Sequence, residues 1–165
     1  QIEGIEAGAD SYITKPFSTK YLITRVLKLI EQREKLQQKF SQEPGIGITA
    51  ITSTNKDKEF LNKVHSVIEE NLDNSEFAID DFAQSMQLGR TMLYKKVKGI
   101  TGYSPNEYIR IIRLKQAAEM LRKTDLNVSE IAYSVGFNDP FYFSRCFKKQ
   151  FSVAPVDYRA GNESE

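Results

Sequence analysis

The sequence predicts a mainly α-helical fold in which two helix-turn-helix units are joined by a long connecting helix and preceded by a short βα unit. Three observations predict it. Apolar residues recur at helical spacing through most of residues 57–160. Two pairs of short helical segments each meet at a turn with glycine, Gly89 in the first pair and Gly136 in the second. Between the pairs, Ser104 and Pro105 open a longer helical segment.

The composition is that of an ordinary soluble globular protein of one or two domains, with 165 residues, 40% of them hydrophobic and 27% charged. No apolar run approaches the ~18 residues that would span a membrane. The single cysteine, Cys146, cannot form an intramolecular disulfide, so we expect a cytoplasmic protein without membrane contact in this part. Because the chain does not begin with Met, we expect Gln1 not to be the natural start.

An enzyme is the function class that the residue content excludes most clearly. The chain has one His and one Cys. Its sequence shows neither a pair of acidic residues in a glycine-rich setting nor a phosphate-binding loop. We therefore expect no catalytic residues, no metal ligands and no cofactor.

Charge is distributed unevenly although the formal net charge is only +1. Residues 57–89 contain two Lys or Arg and eight Asp or Glu, whereas residues 90–123 contain nine and two. A basic segment beside an acidic one is typical of a protein that binds phosphate groups. The alternative is that both runs are ordinary solvated helix faces.

Residues 1–40 predict a short strand over residues 11–14, followed by a helix capped by Ser18 or Thr19. The residues G-A-D-x-Y-I-x-K-P-F resemble the end of a response-regulator receiver domain, from its fourth helix through its fifth strand and helix. This resemblance implies that Lys15 pairs with a phosphorylated aspartate, that the Lys15–Pro16 bond is cis, and that Tyr12 is the switch aromatic. The aspartate and the metal-binding acids are absent here, and a generic βα unit is the alternative.

Residues 41–56 are interpreted as a linker. Pro44 and Gly45 stop the preceding helix. The β-branched and polar residues that follow have no helical period, so an extended conformation is expected, with a short strand docked on a neighbouring element as the alternative.

The first helix-turn-helix unit follows a helix over residues 57–71. Asp80 and Asp81 suit a helix start, and a second helix runs from Arg90 to Lys98 with its apolar residues facing inward. The outward face carries polar and basic side chains: Arg90, Thr91, Tyr94, Lys95 and Lys98. From the connecting helix, which ends near Lys123, three further basic residues are expected to project: Arg110, Arg113 and Lys115.

The second unit begins at Asn127, a predicted N-cap, and turns at Gly136. Asp139 and Pro140 then predict the cap and first residue of a basic helix. Phe143 and Phe147 lie four residues apart on it and are expected to face the core.

The second unit resembles the second helix-turn-helix of the AraC/XylS family of transcription regulators. The residues that carry the resemblance are G-F-x-D-x-x-Y-F-S-R-x-F-K-K-x-F, followed by P-x-x-Y-R. The first unit matches more loosely and includes the downstream T-G-x-S-P. Pro140 and Ser152 depart from the family in the second unit, as do Tyr94 and Val97 in the first.

The resemblance implies sequence-specific binding of double-stranded DNA. Family position implies base contacts from Thr91, Tyr94 and Lys95 in the first unit and from Phe141, Ser144 and Arg145 in the second. The other basic residues of these helices are expected to contact phosphates or lie at the rim of the core: Arg90, Lys96, Lys98, Lys148 and Lys149.

Together the two resemblances imply three parts: a receiver remnant at 1–40, a linker at 41–56 and the DNA-binding domain at 57–160. This order implies the output part of a two-component phosphorelay, in a stand-alone response regulator or a hybrid histidine kinase. RNA polymerase is a further candidate partner. We expect self-association through residues 1–35, with docking of that segment on the chain's own DNA-binding domain as the alternative. The alternative function is a protein-interaction module that uses exposed Tyr94, Phe141 and Tyr142.

Overall fold

The computed structural model describes residues 15–16 and 18–162. Within them the chain forms eight α helices and one short 3-10 helix, Ile48–Ala50. The α helices are α1 (Thr19–Gln42), α2 (Asn55–Glu70), α3 (Ile79–Ser85), α4 (Arg90–Thr101), α5 (Pro105–Lys123), α6 (Val128–Ser134), α7 (Pro140–Phe151) and α8 (Pro155–Asn162). None of these helices is long and apolar enough to cross a membrane.

The mainly helical fold class is confirmed, but the βα unit predicted for the N-terminus is not. All regular elements of the described residues are helices, and the predicted helix corresponds to α1. The predicted strand and the switch residue Tyr12 lie outside the described residues. Lys15 is exposed, and the bond between Lys15 and Pro16 is cis.

Side chains next to the helix ends explain where several helices start. Ser104 Oγ accepts a hydrogen bond from the Glu107 N–H, and the Glu107 carboxylate accepts one from the Ser104 N–H at 2.8 Å. Asn127 and Glu130 make the same reciprocal pair at the start of α6. Such pairs satisfy N–H groups that have no partner inside the helix. The caps predicted at Ser104 and Asn127 are confirmed.

The first core lies between α2, α3, α4 and the first half of α5. It also contains residues from the segment that the sequence marks as a linker and from the end of α1. Phe40 is 1% exposed and stacks on Tyr108 with ring centroids 5.9 Å apart, and Ile51 is 5% exposed. Residues 41–56 are therefore packed on the first unit, and the expectation of an extended segment is wrong at the 3-10 helix.

The second core lies between the last half of α5 and helices α6, α7 and α8. Its centre is a chain of aromatic rings: Phe137 and Phe143 have centroids 5.2 Å apart, and Phe143 and Phe147 5.7 Å apart. Phe147 also meets Tyr158 edge to face at 5.4 Å. Aromatic pairs of this geometry each add about 0.5–1.5 kcal/mol beyond the buried area.

Helix α5 belongs to both cores, which corrects the expectation that its basic residues project outward. Arg113 is buried at the middle of the helix and donates hydrogen bonds to the carbonyl oxygens of Gly136 (3.2 Å), Asn71 (3.3 Å) and Asn74 (2.6 Å). Lys115 is half-buried, with Nζ 2.7 Å from each of two backbone oxygens. Buried charges are tolerated because carbonyl groups replace water around them.

Candidate nucleic-acid interface

Two helices of equal length, α4 and α7, are the candidate recognition helices. Each has 12 residues, and each ends at a residue in the left-handed conformation, Gly102 (φ 81°) after α4 and Ser152 (φ 66°) after α7. The N–H of that residue closes the last turn, at 2.9 Å from Lys98 O in α4 and 2.8 Å from Lys148 O in α7. The two helices therefore end in the same way.

Each recognition helix buries one face and exposes the opposite one. Leu93 and Val97 of α4 are fully buried, as are Phe143 and Phe147 of α7. With 3.6 residues per turn, the residues between them face away from the core. Outward positions at the same places in the two helices are 91, 94, 95 and 98 in α4 and 141, 144, 145 and 148 in α7.

On α4, all five predicted site residues are exposed. Tyr94 and Lys98 contact one another, with Lys98 Nζ 5.5 Å from the centroid of the Tyr94 ring. Arg90 forms an ion pair with Asp80 at 3.2 Å, so part of its charge is already balanced. Thr91, Tyr94 and Lys95 line an open cleft of about 600 Å³ together with the start of α5.

On α7, four of the five predicted site residues are exposed. Phe141 is 85% exposed, an unusual state for a phenylalanine in a folded chain. Arg145 lies over the Tyr142 ring, with its guanidinium carbon 5.9 Å from the ring centroid, and Lys148 and Lys149 are exposed. Ser144 is half-buried, and its hydroxyl donates to the Pro140 carbonyl oxygen at 2.9 Å.

A second cleft, of about 580 Å³, separates α7 from α5 and the end of α1. Three basic residues line it, Arg110, Arg145 and Lys149, with Glu107 as the acidic member. Arg110 is absent from the predicted site because sequence spacing on α5 does not show which of its residues face α7. The basic walls make this cleft suitable for a phosphate group.

Lys96 is exposed but lies on the side of α4 that faces α2, away from the outward positions. Its Nζ lies 5.2 Å from the centroid of the Phe60 ring on α2. Lys96 therefore lies at the rim of the first core, one of the two places expected for it. In the part of the chain that the structure describes, no group of three or more His, Cys, Asp or Glu side chains is arranged to hold a metal ion.

Comparisons with known proteins agree with this geometry. Residues 82–161 match the family model described as a helix-turn-helix domain. Histidine kinase P4 from Formosa agariphila is 41% identical over 159 residues, which are 96% of this chain and 12% of that protein. This chain thus spans about an eighth of the kinase's length.

Two solved structures share the fold. The DNA-binding domain of AdpA in complex with a target DNA is 26% identical with a TM-score of 0.58, and the match covers 63% of this chain and 93% of that one. A transcriptional regulator with an AraC-type DNA-binding domain from Chromobacterium violaceum is 25% identical with a TM-score of 0.61, over 66% and 96% of the two chains. Residues 82–161 of this chain are therefore an AraC-type helix-turn-helix DNA-binding domain.

Proposed function

We propose that this chain is a sequence-specific DNA-binding transcription regulator whose two recognition helices enter successive major grooves of one duplex. The observation that carries the proposal is the pair α4 and α7, two helices of 12 residues with matching buried and exposed positions. For both to enter grooves on one side of the DNA, they must lie about one helical turn, roughly 34 Å, apart.

Base recognition is assigned to the outward side chains nearest the start of each helix. In α4 these are Thr91, Tyr94 and Lys95, and in α7 they are Phe141, Ser144 and Arg145. Arg145 can pair with both acceptors of a guanine, and the apolar Phe141 ring suits the methyl group of thymine. The phosphate contacts are assigned to Arg90, Lys98, Lys148 and Lys149, which set affinity and its salt dependence.

We also propose that the chain is the output part of a two-component phosphorelay system in the cytoplasm, divided into parts at 1–40, 41–56 and 57–160. The receiver-like motif with Tyr12 and Lys15 supports this role, as does the similarity to a histidine kinase over 96% of the chain. In this proposal α1 is the last helix of the receiver domain. Its packing on the first unit would carry a signal directly into the DNA-binding domain.

Self-association through residues 1–35 is proposed from the surface of α1. Its first half exposes five large apolar side chains: Tyr21, Ile23, Val26, Leu27 and Ile30. A monomer rarely leaves such a patch uncovered. Analytical ultracentrifugation of the whole chain beside one that begins at residue 31 tests this, because equal sedimentation as monomers would contradict it.

The experiment that tests DNA recognition is selection of duplexes from a random pool, followed by fluorescence anisotropy at two salt concentrations. A DNA-binding regulator enriches a defined sequence and binds it with affinity that falls steeply as salt rises. The rival function is a protein-interaction module, for example for RNA polymerase, favoured by exposed Phe141, Tyr94 and Tyr142. That module would enrich no sequence and would show little salt dependence.

A further inference from the structure

The second half of α1 lies against the C-terminal end of the first recognition helix. Arg33 Nη2 donates hydrogen bonds to the carbonyl oxygens of Gly99 (3.2 Å) and Ile100 (3.3 Å). Gln37 Nε2 donates a third, to the Ile100 oxygen at 3.3 Å. Two side chains of a helix that precedes the matched domain thus bind the last turn of α4.

These contacts suit the chemistry of a helix end. The last four carbonyl groups of an α helix have no partner within the helix, and they carry the negative end of its dipole. In α4, the Gly102 N–H donates to Lys98 O at 2.9 Å, and the Thr101 hydroxyl donates to Val97 O at 2.7 Å. The next two carbonyl oxygens receive the guanidinium and amide groups of α1, so a positive charge faces the negative helix end.

The residues after α4 are shaped to receive α1. Gly102 has a positive φ, and a Cβ atom there would collide with the Gln37 side-chain amide. The Tyr103 hydroxyl lies 3.2 Å from the Gln37 carbonyl oxygen and 3.1 Å from Ser41 Oγ. The absence of a side chain at Gly102 therefore allows the close approach of α1.

From its other side α1 is held by α5. Lys115 Nζ is 2.7 Å from Phe40 O, at the end of α1, and 2.7 Å from Ile46 O, in the segment that follows. The same ammonium group lies 3.9 Å from the centroid of the Phe40 ring. Helix α1 is thereby fixed between the connecting helix and the end of the first recognition helix.

We infer that Arg33 and Gln37 are positioning residues for DNA recognition, which hold the end of α4 and thereby set the tilt of its outward face. This inference rests on the proposed DNA-binding function. It makes recognition of the half-site contacted by α4 depend on the docking of α1. Recognition of the half-site contacted by α7 does not depend on these two side chains, because Arg33 and Gln37 donate to α4 and not to α7.

The test uses the full chain and a duplex selected from a random pool by the unmodified protein. Lys95→Ala, on α4, identifies the half-site that α4 contacts, because scrambling that half-site removes the effect of this substitution. The double variant Arg33→Ala, Gln37→Ala should then bind the intact duplex about tenfold more weakly. It should bind the duplex with the α4 half-site scrambled within about twofold of the unmodified protein.

The matched control is Lys35→Ala, which removes a cation of α1 that pairs with Glu31 on the exposed face, at 2.6 Å. It should leave both affinities unchanged, whereas Arg33→Lys should restore part of the loss because it keeps the charge at the helix end.

Each contrary result has a distinct meaning. Equal losses on the intact and scrambled duplexes would mean that the substitutions only loosen the fold, and would overturn the inference. Normal binding by the double variant would overturn it too, while leaving the proposed function intact. If the unmodified protein enriched no sequence, the proposed function would fail and the inference with it.

Discussion

His65 shows how burial decides the chemistry of one side chain. Its Nε2 lies 2.8 Å from the Tyr108 hydroxyl, and its ring is half-buried between α2 and α5. Burial, aided by the positive charge of Lys115, lowers the pKa of His65 to about 4. Burial also raises the pKa of Tyr108. The imidazole is therefore neutral at pH 7, and its hydrogen bond with the tyrosine hydroxyl joins two uncharged groups.

The lowered pKa of His65 predicts acid sensitivity. Between pH 6.5 and about 4 the unfolded chain binds a proton at His65 and the folded chain does not, so the free energy of unfolding falls as pH falls through this window. The contribution is on the order of 2–3 kcal/mol. Denaturant titrations at pH 7, 5.5 and 4.5 measure it, and His65→Gln should lose less stability over this range. An identical pH dependence in the variant would contradict the account.

Ser152 is a second residue whose effect on stability can be predicted, in this case from its backbone conformation. It adopts φ 66° at the end of α7, a conformation that glycine adopts without steric penalty. Ser152→Gly should therefore raise the free energy of unfolding by about 1 kcal/mol in a denaturant titration. The reverse change at the equivalent position, Gly102→Ser, should destabilise the chain, because a Cβ there also meets Gln37. Opposite signs for either variant would show that the helix ends are not set by these residues.

At the scale of single elements, two substitutions in α7 test which of its basic residues contacts a base and which contacts a phosphate. Arg145 lies on its outward face over Tyr142, and Lys149 lies one turn further along. Arg145→Ala should weaken binding to the selected duplex by about 1–3 kcal/mol and weaken binding to random DNA much less. Lys149→Ala is the control and should weaken both about equally. Equal losses for Arg145→Ala on the two DNAs would show that it contacts only phosphate.

The inward face of α7 carries the stability of the second unit. Phe147 is fully buried among Phe143, Phe151 and Tyr158. Phe147→Asp places an unpaired carboxylate in this small core and should cost several kcal/mol, enough to unfold the second unit. Phe147→Leu keeps an apolar side chain and should cost about 1–2 kcal/mol. Circular dichroism melts compare the two, and an unchanged melt for Phe147→Asp would mean that this face is not buried.

The helices could be predicted from sequence because their signals are local. Ser104 and Asn127 mark helix starts, because a glutamate three residues after each of them completes the cap. The four-residue spacing of Leu93 and Val97, and of Phe143 and Phe147, predicts the inward faces. The burial of Ile51 could not be predicted in this way. Its segment has no helical period, and local spacing does not show that this segment packs against α1 and α2, the helices on either side of it.

Arg113 and Lys115 show a related limit. Helical spacing separates the faces of α5 but does not reveal that the helix is covered on nearly every side. The carbonyl groups that bind these two cations come from residues 40, 46, 71, 74 and 136. No local pattern connects those residues to α5, so both cations were expected on the surface.

At the scale of the whole molecule, α5 joins the two helix-turn-helix units. Its first half packs in the first core and its second half in the second. Arg113 joins the turn of the second unit, at Gly136, to the loop after α2, at Asn71 and Asn74. The distance between the recognition helices is therefore fixed by a single continuous helix and its buried contacts.

The spacing of the two half-sites tests this arrangement most directly. In the selected duplex, insertion of about 5 base pairs between the half-sites turns the second half-site to the opposite side of the DNA. A rigid pair of recognition helices cannot follow that rotation, so fluorescence anisotropy should show the affinity falling to that of a duplex with one half-site scrambled. Affinity unchanged by the insertion would contradict the account, because it would mean that the two helices do not contact one duplex as a fixed pair.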